Sequence, residues 1–168
     1  MNSWKAPLPD PVAPGQESVW DYPRPPRLER SARRVRVELA GSVIADSVRA
    51  LRVLETSHPP TYYVHPDDVV WDLVEPAAAR GSWCEWKGQA SYWTVSVGSE
   101  RVESGAWSYA HPTPDFAELA GHVAFYPAMF ACRLDDELVT PQPGGFYGGW
   151  VTRDLAGPFK GGPGTLGW

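Results

Sequence analysis

With 168 residues, 43% hydrophobic and 21% charged, the chain has the makeup of one globular domain plus extensions rather than of a disordered polymer. A formal net charge of −5 excludes bulk nucleic-acid binding, which needs a positive field. No apolar run approaches the roughly 20 residues of a membrane helix, and the 18 prolines and 16 glycines leave little room for long helices of any kind.

Residues 1–30 hold seven prolines and little periodicity. They read as an extended arm, anchored by Trp4, Trp20 and Tyr22. The basic stretch "RLERSARRVR" (27–36) is interrupted by Glu29 and apolar residues, so it reads as a solvated strand entry rather than a nucleic-acid arm. A single β-domain then spans 31–140. Val35, Val37 and Leu39 alternate with polar residues, Ala40-Gly41 makes a turn, and Val43-Ile44-Ala45 resumes: a hairpin. "ALRVLET" gives a third strand, stopped by Pro59-Pro60, and "TYYV" a fourth. "PDDVVWDLVEP" suits one or two helical turns, with Pro66 at a first helical position and Pro76 as the stop.

The stretch from Gln89 to Val97, the turn Gly98-Ser99 and the return from Arg101 to Tyr109 make the strongest hairpin, rich in aromatic and β-branched residues. "TPDFAELAGH" reads as a short helix, and "HVAFYPAMFACRLDDELVT" as one or two strands with Asp135-Asp136 at a bend. About seven short strands and at most two small helices predict a mainly β fold. Its antiparallel, curved sheets would form a pair or an open barrel-like domain. Residues 141–168 form a glycine-rich tail. Its Phe146, Tyr147, Trp150, Phe159 and Trp168 suit packing on its own domain or on a second copy.

The reactive residue types are weighed in turn. Ser57 and His58 are neighbours in extended chain and point to opposite faces, so they suit a turn better than a nucleophile–base pair. Arg49 and Glu55 share a strand parity but lie six residues, roughly 20 Å, apart; each needs its own partner if buried. His58, His65, His111 and His122 form no tight pair, and the two cysteines, Cys84 and Cys132, lie 48 positions apart, so no metal is expected. A bridge between those cysteines is feasible, although a chain of this length holds together without one. Cys84 is the candidate nucleophile, with Lys87 three residues on to favour its thiolate; the bland alternative is a small buried residue between Trp83 and Trp86. Lys87 can stack on an aromatic face or meet an anionic ligand. "GPFKGGPGT" lacks the ending of a phosphate-binding loop. No cofactor is implied.

Four segments, "ADSVRALRVLETSHPPTYYVHPDDV", "CEWKGQASYWTV", "GAWSYAHP" and "GHVAFYP", resemble in order and spacing the Domain of Unknown Function 427 family, over about 33–130. The matching positions are Arg49, Glu55, Tyr62, Tyr63, Cys84, Lys87, Trp93, Trp107, Tyr109, Phe125 and Tyr126. The resemblance implies a β-tent, two antiparallel sheets meeting at a ridge, similar to that of B-type methionine sulfoxide reductases. Many such tents carry a zinc held by four cysteines; two cysteines cannot supply that pin, so this tent is expected to lack zinc. The family lends a fold and no reaction.

The leading functional expectation is a small-molecule or peptide binder. Its aromatic pocket is built from Tyr63, Trp93, Trp107 and Tyr109, with Arg49, Glu55 and Lys87 as polar groups at floor or rim. The alternatives are a thiol-dependent enzyme using Cys84, and an interaction protein that forms homo-oligomers through its aromatic tails. No nucleic-acid or membrane partner is expected, and a cytoplasmic location is the default in the absence of an apolar signal core.

Overall fold

The structure, a computed structural model, describes residues 5–168; the anchor expected at Trp4 lies outside the described residues. Period-two alternation builds its frame. In Val35–Leu39 the side chains of Val35 and Val37 turn inward, and the strand pairs antiparallel with Ser42–Ser47. Ala40 and Gly41, at φ 49° and 80°, make the two-residue reversal whose twist matches the strands. Ala131–Leu134 and then Glu137–Leu138 extend this to a four-stranded sheet.

The second sheet has eight strands. Its order is Arg27–Arg30, Leu51–Leu54, Thr61–Val64, Val123–Phe125, Glu100–Ser108, Gly88–Val97 and Val74–Pro76, with Ser82–Cys84 also paired to Gly88–Val97. Every pairing within the two large sheets is antiparallel, and neither closes into a barrel. Val35, Val37, Ile44 and Leu134 of the small sheet and Val64, Val95, Val123 and Phe125 of the large one pack into a single core. The expected mainly β, open antiparallel architecture is therefore present.

Two expectations are corrected in detail. The helical segments are all 3-10 turns: Val19–Asp21, Pro66–Asp68, Trp71–Leu73 and Pro114–Leu119. Pro66 and Pro114 each stand at the first position of their turn, where a missing N–H costs nothing. The strands are also more numerous than seven, because Arg27–Arg30, Val74–Pro76 and Ser82–Cys84 are short edge additions with charged or polar residues and no clean alternation.

The arm and tail are ordered parts of this body. Glu17–Ser18 pairs in parallel with Leu155–Ala156, and Val19, Tyr22, Leu54 and Leu155 bury one another. Trp20 donates its indole N–H to the Pro158 carbonyl at 2.9 Å. Arg52, on the opposite face from Leu51 and Val53, bridges the arm to the sheet through Glu17 (2.7 Å) and Glu29 (2.6 Å). Trp150, fully buried, is the largest side chain in the inter-sheet core. No helix among the described residues is long and apolar enough to cross a membrane.

Candidate functional site: an aromatic hollow on the outer face of the large sheet

Alternation gives the eight-stranded sheet a second apolar face. Tyr62 and Val64 point into the inter-sheet core, so Tyr63 points away from it; Val123 and Phe125 point in, so Ala124 points out. The register then lines up Leu51, Tyr63, Ala124, Trp107 and Tyr92 as one row across five strands. Ala124 is the small member of that row. It is fully buried beneath the Tyr63 and Trp107 rings, which meet edge to face with centroids 6.3 Å apart. Tyr109 and Tyr126 extend the aromatic floor, Tyr126 lying 4.5 Å from Trp107.

Two walls rise from this floor. The turn joining Ser82–Cys84 to Gly88–Val97 carries Cys84, Trp86 and Lys87, and is pinned where Thr113 donates its backbone N–H to the Lys87 carbonyl (3.0 Å). The opposite wall combines Glu55 and His58, just past the strand Leu51–Leu54, with Phe146, Tyr147, Gly148 and Lys160 of the tail. Gly148 is required there: a Cβ would lie 2.2 Å from the Trp107 ring. The enclosed volume is about 720 Å³, within the usual size of small-molecule sites.

Six of the eight residues singled out in the sequence line this hollow: Glu55, Tyr63, Cys84, Lys87, Trp107 and Tyr109. Two do not. Trp93 faces the inter-sheet core, packs against Trp71 (5.1 Å) and donates its indole N–H to Ser108 Oγ (2.8 Å); its neighbour Tyr92 takes the outward position. Arg49 makes a two-point contact with Asp68 (2.9 and 3.1 Å), which also accepts from Ser47 Oγ. It lines a separate small hollow with His65 and His122.

The residue that sequence reasoning assigned to a mere turn, His58, belongs to the site. Ser57 sits at φ 73°, its N–H donating to Val19 and its carbonyl accepting from Lys160, and this reversal carries His58 onto the hollow. Gln142 then fixes the imidazole. Its side-chain oxygen accepts from the Gly149 N–H (3.0 Å), while its Nε2 donates to the Lys160 carbonyl (2.8 Å) and to His58 Nδ1 (3.1 Å). Nδ1 is thus an acceptor, and the ring proton resides on Nε2, 3.5 Å from the Glu55 carboxylate. Burial, and then the positive charges of Lys160, Arg24 and Lys87, hold the His58 pKa down to about 3, so the ring is neutral near pH 7. Burial pushes the Tyr63 and Tyr109 phenols up, keeping them protonated hydrogen-bond donors.

Lys87 places its ammonium 5.8 Å from the Tyr109 ring centre. Lys160 stands 5.6 Å from that of Tyr147 and donates to the Trp168 carbonyl oxygen at 3.1 Å. Cys84 and Cys132 are both free thiols, Cys84 half-buried in the hollow and Cys132 sealed in the core, where burial raises its pKa. Among the described residues no three His, Cys, Asp or Glu side chains converge as metal ligands.

The fold and this hollow define an open antiparallel β-domain with an aromatic, lysine-bearing cavity on one face. Residues 27–140 match the model of a domain of unknown function, DUF427, and the chain belongs to that family. No curated protein matches the chain. The matched span contains the whole floor and the Cys84–Lys87 wall, whereas Gln142, Tyr147 and Lys160 lie beyond it.

Proposed function

We propose that the chain binds a small organic molecule, or the end of a peptide, in the hollow lined by Tyr63, Trp107 and Tyr109. The reading is carried by one observation: Tyr63, Trp107, Tyr109 and Tyr126 converge from neighbouring strands around a cavity that also holds Glu55 and Lys87. A few directed polar groups set in an aromatic lining is the composition of sites that orient a ligand while burying its apolar part. Trp107 and Trp86 in the lining make intrinsic fluorescence the direct assay. A panel of planar aromatic compounds, screened by ligand-observed NMR, is expected to yield binders with dissociation constants below about 1 mM that quench the native protein and compete with one another. Failure of every member to bind disposes of the reading.

A thiol chemistry at Cys84 is the alternative, supported by its position in the same cavity as Lys87. Iodoacetamide near pH 7 separates the two. Enzymatic use of Cys84 requires alkylation clearly faster than that of a free model thiol, whereas a wall residue reacts more slowly. Two free thiols also suit a reducing compartment, which supports the cytoplasm as the place of action.

A further inference from the structure

The charges around the hollow are not balanced as they are elsewhere on the molecule. A second hollow is lined by Arg30, Arg33 and Arg52, and a third by Arg30 and Arg49. Each of these guanidinium groups is matched by carboxylates: Arg30 by Glu118, Arg33 by Asp135 and Asp154, Arg52 by Glu17 and Glu29, Arg49 by Asp68. Those two hollows are neutralised from within and ask for no ligand. In the aromatic hollow the acids are the paired groups. Glu55 is met by Arg24 at 3.3 Å and Glu103 by Arg101 at 2.7 Å.

Lys87 has no such match, and Lys160 meets only the main-chain oxygen of Trp168, at 3.1 Å. Among the described residues no side-chain carboxylate lies within 4.0 Å of Lys87 or Lys160, although the chain as a whole is acidic. Both also lie over ring faces, Lys87 over Tyr109 and Lys160 over Tyr147, and a ring face holds an ammonium in place without neutralising it. They come from two separate segments of the lining, the turn after Cys84 and the tail. His58, between a turn and the tail, is fixed by Gln142 as a neutral ring and adds no competing charge.

We infer that the occupant is a planar aromatic molecule bearing an anionic group, carboxylate or phosphate, whose anion is received by Lys87 and Lys160 while its ring lies on Trp107 and Tyr126. This rests on the small-molecule reading of the hollow and names the ligand's chemistry. Neutral planar compounds would use the floor alone; an anion of the same shape would add the two ammonium contacts.

The test uses the full chain and three matched probes, 2-naphthoate, 2-naphthyl phosphate and 2-naphthalenemethanol, titrated by calorimetry at constant ionic strength. The expected result is that at least one anion binds about ten-fold or more tighter than the alcohol. Which anion wins distinguishes a carboxylate from a phosphate ligand. Lys87→Met and Lys160→Met are each expected to cut that advantage about five-fold or more, leaving the affinity of the alcohol unchanged, and Lys87→Arg is expected to restore it. An alcohol that binds as tightly as both anions overturns the inference while leaving the hollow an aromatic binder. An anion advantage that survives in the double Lys→Met variant overturns the role of the lysines. No binding by any of the three, in a protein that also fails the wider aromatic panel, removes the site itself.

Discussion

The two faces of the eight-stranded sheet are made by alternate residues of the same strands, yet they are built to different rules. The inner face presents Val64, Val95, Val123 and Phe125 to the small sheet, and Trp150 fills the space between. The outer face presents Tyr63, Tyr92, Trp107 and Tyr109, rings with polar tips, to a hollow with charged walls. A tyrosine or tryptophan can bury its ring and still meet a polar partner, which an aliphatic side chain cannot. The difference separates the face packed against the second sheet from the face on which the hollow lies.

The sharpest way to break this division is Trp150→Ala, which empties the largest fully buried side chain from the inner core. It is expected to cost about 3–5 kcal/mol in urea unfolding. A loss below about 1 kcal/mol would mean that the tail merely decorates the domain. Next comes Gly148→Ala, on the outer face, where the new methyl group collides with the Trp107 ring. A loss of about 1–3 kcal/mol is expected, with a shifted tryptophan emission maximum as the sign that Trp107 has moved.

His58 supplies a pH test of the outer face. Its pKa falls from the ordinary 6.5 to about 3 on folding, so the unfolded chain binds the extra proton in that window. The stability that neutrality contributes is therefore present above pH 6.5 and is lost as the pH drops towards 3. Between pH 6.5 and 5 the native protein is expected to lose about 1–2 kcal/mol more than His58→Asn, which keeps an acceptor for Gln142 but does not titrate. Asp46 and Asp68, whose carboxyls are held low by Arg34 and Arg49, are still ionised in that range and lose their contribution only at lower pH. Parallel stability profiles for the two proteins would show that the imidazole is not held neutral. The smallest effect belongs to Arg49→Ala, whose ion pair with Asp68 is half in water: only a slight loss of stability in urea unfolding, and no change in the binding of aromatic probes.

How far the sequence revealed this arrangement depends on how local each cause was. The hairpins Val35–Ser47 and Gly88–Ser108 were legible because period-two alternation and the turn pairs Ala40-Gly41 and Gly98-Ser99 agree over a short span. The edge strand Arg27–Arg30 was legible only as a solvated strand entry, since its charges hide any alternation and its pairing with Leu51–Leu54 is what orders it. Within the site, the charge among apolar residues pointed to Glu55, and the clustered aromatics pointed to Tyr63, Trp107 and Tyr109. Trp93 and Tyr92 are adjacent rings on opposite faces, and no property of the two residue types says which turns outward. Arg49 and Glu55 looked equivalent until Asp68 claimed one of them. His58 was beyond reach, because its fixing partner Gln142 is 84 residues away in the chain and is itself oriented by Gly149 and Lys160.

The position of Trp150 has a consequence for how the protein is made. A chain emerging from the ribosome reaches residue 140 with every strand of the two large sheets already outside or in the exit tunnel, but with a void where that indole belongs. The two sheets can pair before it, but their shared core is complete only once this later segment has packed between them. Contacts of such long sequence separation favour slow folding, so the filling of this core is expected to be a late step.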